Sequence, residues 1–168
     1  MQASIHGFPP ISRSDAHTLI LGSMPSRESL SKQKYYAHPR NSFWLIMTRL
    51  LGITSKDYAT RAQQVTEGGF AIWDVLQTCT RHSSLDSDID DRSMVANNFK
   101  TFFKEHPGIT RVFFNGAKAE SVYLRRVLPG LASKPAEIER MRLPSTSPAN
   151  AGMTVEEKLE NWRVIIAA

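Results

Sequence analysis

The sequence predicts an α/β protein, a three-layer α/β/α sandwich with a central, mainly parallel four-stranded sheet. Three observations predict this fold. Short apolar runs rich in β-branched and aromatic residues recur along the chain, longer segments with helical periodicity lie between them, and polar loops follow them. Strands that alternate with helices are typical of a parallel sheet covered on both faces. The 168 residues can form this sandwich as a single domain, residues 1–168.

The predicted strands are short and, with one exception, apolar. The first, residues 16–23 (AHTLILGS), is a run of Leu and β-branched residues that ends at Gly22. Residues 68–76 (GGFAIWDVL) and 111–116 (RVFFNG) have the same character. Residues 137–143 (EIERMRL) are more polar, so we expect this fourth strand to be more exposed.

The predicted helices lie between and after these strands. The clearest covers residues 41–51 (NSFWLIMTRLL), with Asn41 as a favourable N-cap and Gly52 as a favourable C-cap. Thr154 and Glu157 have the spacing of a capping box, which predicts the start of the last helix. The remaining helices are expected at about 57–67, 93–105 and 117–128.

Polar loops follow each predicted strand. In parallel sheets, ligands bind beyond the carboxyl ends of the strands, so these loops should converge on one rim that carries the function. The loops are GSMPS (22–26), YYAHPRN (35–41), DVLQTCTRHSSLDSDIDD (74–91), NGAK (115–118) and LPSTSPANAG (143–152).

Composition restricts the classes of function. The net charge is +5 and the isoelectric point is about 9.6, which favours a polyanionic partner. The single cysteine, Cys79, excludes an intramolecular disulfide, and His38 shows no ligand spacing with the other histidines, so we expect neither a metal nor a cofactor. A basic, apolar leader and long apolar runs are both missing, so we expect a cytoplasmic protein without a membrane partner.

Each motif taken alone also has a simpler interpretation. GSMPS fits a tight turn, LPSTSPAN fits an ordinary Ser/Thr-rich turn, and no phosphate-binding G-x-x-x-x-G-K-[ST] occurs. Asn41 could serve only as an N-cap, and Asp74, at the end of the second strand, could simply cap a following helix. The run DSDIDDR (86–92) is most simply a solvated acidic loop.

Together, however, the motifs resemble a known pattern. GSMPS after the first strand, then YAHPRNSFW, then a strand that ends in Asp74, then LPSTSPAN, resembles the uracil-DNA glycosylase superfamily, and in particular its hypoxanthine-DNA glycosylase branch. The resemblance extends from HGFPPI (6–11) to the last helix. It implies an α/β/α domain that flips a deaminated nucleotide of double- or single-stranded DNA into a pocket. We further expect a monomer in the cytoplasm, associated with the nucleoid.

The resemblance also implies roles for individual residues. Met24 stands where relatives often keep a water-orienting Asp or Asn, so Asn41 is the expected catalytic residue. Tyr36 matches the aromatic on which the flipped base stacks, and Asp74 matches the position that reads the base edge; an ionised Asp74 would accept a hydrogen bond from N1–H of hypoxanthine. Gly22, Ser23 and Met24 are expected to complete the base pocket.

Contacts to DNA are expected from the rim loops. Leu143 and Ser147 stand where uracil enzymes hold a His donor and often a Leu wedge, so the wedge could pass to Pro148 or Met153. No lysine of the strand-end motifs is placed as an obvious Schiff-base nucleophile, so we expect a monofunctional enzyme that leaves an abasic site. The alternatives are a uracil or G/U mismatch glycosylase and a non-catalytic DNA-binding relative. The predicted DNA contacts are Pro25, Ser26, Arg40, Ser145, Thr146, Ser147 and Pro148.

Overall fold

The computed structural model describes residues 3–167 and contains the predicted sandwich. In chain order, the strands are β1 (Ile5–His6), β2 (Thr18–Gly22), β3 (Phe70–Asp74), β4 (Leu76–Cys79), β5 (Val95–Ala96), β6 (Arg111–Asn115) and β7 (Glu139–Leu143). The central sheet has the strand order β3-β2-β6-β7, and every neighbouring pair is parallel. The fold class and the four predicted strands are thus confirmed, with boundaries shifted by up to two residues.

Helices cover both faces of the sheet. The predicted segment 117–128 is one continuous helical stretch. It begins with the α-helix α5 (Ala117–Val122), which continues into a π-helical turn, Tyr123–Val127, and a 3-10 turn, Leu128–Gly130. The segment 93–105 is helical only from Phe99, because Asn98 caps that helix and β5 precedes it. The α-helices are α1 (Arg27–Lys32), α2 (Phe43–Leu51), α3 (Tyr58–Glu67), α4 (Phe99–Glu105), α5 (Ala117–Val122), α6 (Ser133–Ala136) and α7 (Val155–Trp162).

Alternating side chains of the strands pack into two separate apolar cores, one on each face of the sheet. Leu19 and Leu21 of β2 pack on one face with Trp73 and Phe114, whereas Ile20 packs on the other face with Trp162. This alternation is expected for a strand whose two faces are both buried, and all five residues of β2 are buried. The sheet is therefore a rigid platform whose edge positions the loops.

A second, smaller sheet was not predicted. It has the order β1-β4-β5 with antiparallel pairs, and β4 lies inside the segment that we expected to be a single loop after β3. Because β4 follows β3 almost directly, Asp74 precedes a strand and not a helix. The interpretation of Asp74 as a helix cap is therefore wrong.

The predicted helix ends are confirmed in part. Thr154 and Glu157 form the capping box of α7, and Gly52 ends α2 with φ +68°, a conformation that glycine adopts without strain. Helix α2 begins at Phe43 with Ser42 as its N-cap, so the prediction of Asn41 as the N-cap is wrong by one residue, although the side-chain oxygen of Asn41 accepts a hydrogen bond from the Phe43 N–H at 3.0 Å. Within residues 3–167, no helix is both long enough and apolar enough to span a bilayer.

Candidate active site

The carboxyl ends of the parallel strands open into a pocket of about 340 Å³. The convergence of the rim loops is thereby confirmed. Of the predicted site residues, Arg40 and Pro148 do not line the pocket. Those that do are Gly22, Ser23, Met24, Pro25, Ser26, Tyr36, Asn41, Asp74, Ser145, Thr146 and Ser147. Ser29, Tyr35, Ser84, Leu85, Asp86, Ser87, Asn115, Ala149 and Asn150 line it without having been predicted.

The floor of the pocket requires a glycine, a residue without a side chain, at position 22. Gly22 and Asp74 are register partners at the ends of β2 and β3. A Cβ atom at position 22 would lie 2.5 Å from Oδ1 of Asp74 and 2.9 Å from the hydroxyl oxygen of Tyr36. Both distances are too short for real contacts, so only glycine leaves room here for this carboxyl and this hydroxyl together.

Asp74 is a buried acid with little to stabilise its charge. Its side chain is 3% exposed, and Oδ2 has no hydrogen-bond partner within residues 3–167. Burial raises the pKa of Asp74 to about 7, with nearby Asp86 acting in the same direction and Arg81 in the opposite one. Burial thus favours the neutral form of Asp74 over the ionised acceptor expected from the sequence.

A second acid reaches the pocket from the run DSDIDDR. Asp86 accepts a hydrogen bond from the hydroxyl of Ser23, and burial raises its pKa as well. The segment is held against the first motif because Arg27 donates its backbone N–H to the Ser84 hydroxyl at 2.9 Å. The interpretation of this run as a solvated loop is therefore wrong for Asp86.

Arg81 is a buried cation beside these two acids. It is 7% exposed, and Nη2 donates to the backbone oxygen of Pro25, while Nε and Nη1 have no partner among the described residues. The guanidinium thus makes no hydrogen bond to either Asp74 or Asp86. It acts on them only at a distance, by lowering the pKa of each carboxyl.

Tyr36 presents one ring face to its own protein. Its ring stacks on Phe43 with the ring centres 3.9 Å apart and the planes inclined by 25°, so only the opposite face can receive another flat group. Its φ of +54° lies in the left-handed region, which is uncommon for a bulky residue and is typical of strained functional loops. Its neighbour Tyr35 is instead a core residue, whose hydroxyl donates to the backbone oxygen of Pro9 at 2.9 Å.

Asn41 combines a structural bond with access to the pocket. Its amide oxygen accepts from the N–H of Phe43, the first residue of α2, and the Asn41 N–H donates to the backbone oxygen of His38 at 2.9 Å. An amide oxygen has two lone pairs, so this bond leaves it able to accept from a water molecule. The structural bond and a role at the pocket are therefore compatible.

Thr146 joins three of the converging loops. Its N–H donates to Oδ1 of Asn115 at 2.9 Å, and its hydroxyl oxygen accepts from Nδ2 of Asn115 at 2.9 Å. Its backbone oxygen accepts from both the N–H and the hydroxyl of Ser42. Thr146 is fully buried, so we assign it to the scaffold and not to the DNA contacts that were expected of it.

The remaining rim residues differ in their access to solvent. Ser145, Ser147 and Pro148 are half-buried, and Arg40 is exposed beside the pocket loop. Leu143, by contrast, is 4% exposed and belongs to the apolar core under the rim. The position at which the resemblance implies a histidine donor therefore contributes packing only.

Comparison with known proteins identifies the family. The model of the uracil DNA glycosylase superfamily matches residues 9–166. The chain belongs to this superfamily. It is 32% identical over 161 residues to a protein of Methanosarcina acetivorans named hypoxanthine DNA glycosylase, covering 95% of this chain and 96% of the relative. A Methanosarcina barkeri protein of the same name is 33% identical over 115 residues, 67% of this chain and 72% of the relative.

A solved structure of the superfamily has the same fold. The solution NMR structure of a candidate uracil DNA glycosylase from Methanosarcina acetivorans matches with a TM-score of 0.76 and 29% sequence identity, covering 98% of this chain and all of that one. The α/β/α sandwich of this superfamily member is thus shared over nearly the whole chain. The resemblance noted from the sequence motifs is confirmed.

Proposed function

We propose that this superfamily member is a DNA glycosylase that flips a deaminated base out of DNA and hydrolyses its N-glycosidic bond, with hypoxanthine as the preferred base. The observation that carries the proposal is a single pocket in which Tyr36, Asn41 and Asp74 meet at the strand ends. The relatives named hypoxanthine DNA glycosylase support the choice of base. The protein would act as a monomer at chromosomal DNA.

Asn41 is the proposed catalytic residue. Cleavage of an N-glycosidic bond builds positive charge on the sugar and negative charge on the departing base, so the main requirement is a positioned water molecule. Met24 lines the pocket but cannot accept a proton or hold water. The second lone pair of the Asn41 amide oxygen supplies an acceptor for that water.

Tyr36 and Asp74 are the proposed base-binding pair. The Tyr36 ring face opposite Phe43 is proposed to stack on the flipped base, and Asp74 to meet the hydrogen-bonding edge of that base. Hypoxanthine presents N1–H and a carbonyl oxygen there, whereas adenine presents the unprotonated N1. A carboxyl oxygen that accepts from N1–H would therefore favour the deaminated base.

The pocket favours a monofunctional reaction. None of its lining residues in the described part of the chain is a lysine, so no amine is placed to form a Schiff base. Lys158, which is close to the rim, is buried and donates to the backbone oxygen of Ser147 at 3.3 Å, beneath the loop. Hydrolysis would thus leave an abasic site and an intact strand.

Uracil is the alternative substrate. Uracil presents N3–H beside a carbonyl oxygen, the same pattern as the edge of hypoxanthine, so Asp74 could read either base. The match to a solved candidate uracil DNA glycosylase also favours this alternative.

Release of free base tests the proposal. Duplex and single-stranded oligonucleotides with one deoxyinosine, deoxyuridine, deoxyxanthosine or deoxyadenosine would be incubated with the protein, and free base and abasic sites measured separately. We expect free hypoxanthine, an alkali-labile abasic site and no covalent product on borohydride treatment. Faster uracil release would support the alternative, a borohydride-trapped adduct would contradict the monofunctional reaction, and binding without release of any base would indicate a non-catalytic relative.

Replacing Tyr36 by alanine should slow excision. Stacking contributes roughly 1–3 kcal/mol per base, so the single-turnover rate should fall at least about fivefold. Tyr36→Phe is the matched control, because it keeps the ring and removes only the hydroxyl, which is buried near Asp74 and Asn115. If Tyr36→Phe is as slow as Tyr36→Ala, the hydroxyl and not the ring face is what matters.

Binding to DNA should weaken steeply with salt. A protein of net charge +5 that contacts phosphates should show a slope of log affinity against log salt of about −0.9 per phosphate. Arg40→Ala should reduce this slope by about one contact. Arg49→Ala is the control, since Arg49 lies in the last turn of α2 and pairs with Glu156. A flat salt dependence, or equal effects of the two variants, would contradict Arg40 as a phosphate contact.

A further inference from the structure

The pocket has an electrostatic problem as a site for base excision. None of its lining residues within residues 3–167 is Lys, Arg or His, yet two of them, Asp74 and Asp86, are acids. A base that leaves with the bonding electron pair becomes an anion, and stabilising that anion usually requires a hydrogen-bond donor or a positive charge. Two ionised carboxylates in the same pocket would repel it.

The surroundings of Asp74 favour its neutral form. An ionised carboxylate that is 3% exposed requires donors, and Oδ2 has none within the described residues. The nearby cation, Arg81, directs its hydrogen bond to the backbone oxygen of Pro25 and not to the carboxyl. Asp86 differs in having a donor, the Ser23 hydroxyl, which lowers the pKa of Asp86 although burial, the larger cause, raises it.

We propose that Asp74 acts as a neutral carboxylic acid that donates its O–H to the carbonyl oxygen of the departing base, and that Asp86, which lines the same pocket, is its positioning residue. The inference rests on the proposed glycosylase function and deepens it. The neutral acid fits a base that has an N–H beside a carbonyl group, because its O–H donates to the carbonyl oxygen and its second oxygen accepts from the N–H.

The chemical step balances without a further reactant. The bond from C1′ to the base nitrogen breaks, and both of its electrons go to the base, whose carbonyl oxygen takes up part of the charge. A water oxygen forms the new bond to C1′, and one proton of that water passes through solvent to the base. Asp74 keeps its proton throughout and contributes only the hydrogen bond, which strengthens as the oxygen becomes negative.

The groups around Asp74 determine when it is neutral. Asp86 faces it from the segment after β4, Arg81 from the same segment, and Tyr35 and Tyr36 from the loop before α2. The tyrosines stay neutral because burial raises the pKa of each hydroxyl. Burial and Asp86 together outweigh Arg81, so the pKa of Asp74 is raised to about 7.

The sign of the pH dependence distinguishes the two forms of Asp74. If the neutral acid is active, the single-turnover rate on deoxyinosine at saturating protein should be constant at low pH and fall as pH rises through the pKa of about 7. If the ionised carboxylate is active, the rate should rise over the same range. The wild-type protein alone therefore tests the inference, and a rising profile would overturn it.

Variants then assign the effect to particular side chains. Asp74→Asn keeps a donor and an acceptor but cannot titrate, so it should lose the alkaline fall and remain at least about fivefold faster than Asp74→Ala at pH 6. Asp86→Asn should move the midpoint to lower pH, because a charge that raises the pKa of Asp74 is gone. Asp91→Asn is the matched control, since Asp91 is in the same acidic run but is 61% exposed and pairs with Lys118.

The outcomes separate this inference from the proposed function. If neither the wild-type protein nor any of the variants releases a base at any pH, the glycosylase proposal fails. If base is released but Asp74→Asn is as slow as Asp74→Ala, or Asp86→Asn and Asp91→Asn have the same midpoint, the glycosylase stands and the role of the neutral acid or of Asp86 is wrong.

Discussion

Gly22→Ala should lower the single-turnover rate of base excision about a hundredfold, the effect of displacing a reacting group by about 1 Å. The added methyl group would lie 2.5 Å from Oδ1 of Asp74 and 2.9 Å from the hydroxyl of Tyr36, so at least one of these side chains must move. Both are proposed to hold the base, and either movement would misplace it. Single-turnover kinetics on a deoxyinosine duplex measures the effect.

The matched control for this change is Gly152→Ala. Gly152 is in the loop after β7, and an added Cβ would meet nothing within 4 Å. The single-turnover rate of Gly152→Ala should equal that of the parent. Gly22→Ala itself should melt several degrees lower, since overpacking a buried site costs about 1–3 kcal/mol. A Gly22→Ala variant that cleaves within threefold of the parent would show that the base does not sit against this floor.

Asn41→Ser should slow cleavage of deoxyinosine at least about tenfold, a barrier increase of roughly 1.4 kcal/mol, while melting within a few degrees of the parent. Serine is also a good cap, so the hydrogen bond now made to the Phe43 N–H has a replacement. The shorter side chain cannot hold water at the same position. Rate and stability should therefore respond very differently.

Asn98→Ser provides the control for capping. Asn98 caps α4 by accepting from the Thr101 N–H at 3.1 Å, and it does not line the pocket. The two variants should lose similar stability, but only Asn41→Ser should lose rate. If Asn41→Ser keeps the parental rate while Asp74→Ala abolishes it, the principal catalytic role belongs to Asp74 and not to Asn41.

The framework of the site was predictable because it depends on local patterns. Apolar runs such as TLILG predict buried parallel strands, and their ends, Gly22, Asp74 and Asn115, must then lie along one edge of the sheet. This is why the loops carrying Tyr36 and Asn41 could be expected at the same pocket. The sequence motifs indicated the uracil-DNA glycosylase superfamily, and the match to the model of that superfamily confirmed it.

The missed features depend on contacts between distant parts of the chain. Nothing in DSDIDDR separates Asp86 from its neighbours, yet Asp86 bonds to Ser23, Asp88 to Ser83 and Asp90 to the Arg92 N–H. Asp86 becomes a pocket residue only because the folded segment brings it next to Ser23. Similarly, β4 is four residues long, too short to show a clear alternation of polar and apolar residues.

The bonds around Thr146 have a consequence for the order of folding. They join residues that are 104 and 31 positions apart, so the chain must close long loops before any of them can form. Pairing of β2 with β6, Thr18 with Arg111, closes a loop of similar length, but the junction also needs the ends of β6 and β7 to be in place. We therefore expect the folding transition state to contain the sheet but not this junction. Weakening the junction would then speed unfolding and leave the folding rate nearly unchanged. On this expectation, the base pocket is among the last parts of the protein to form and among the first to open.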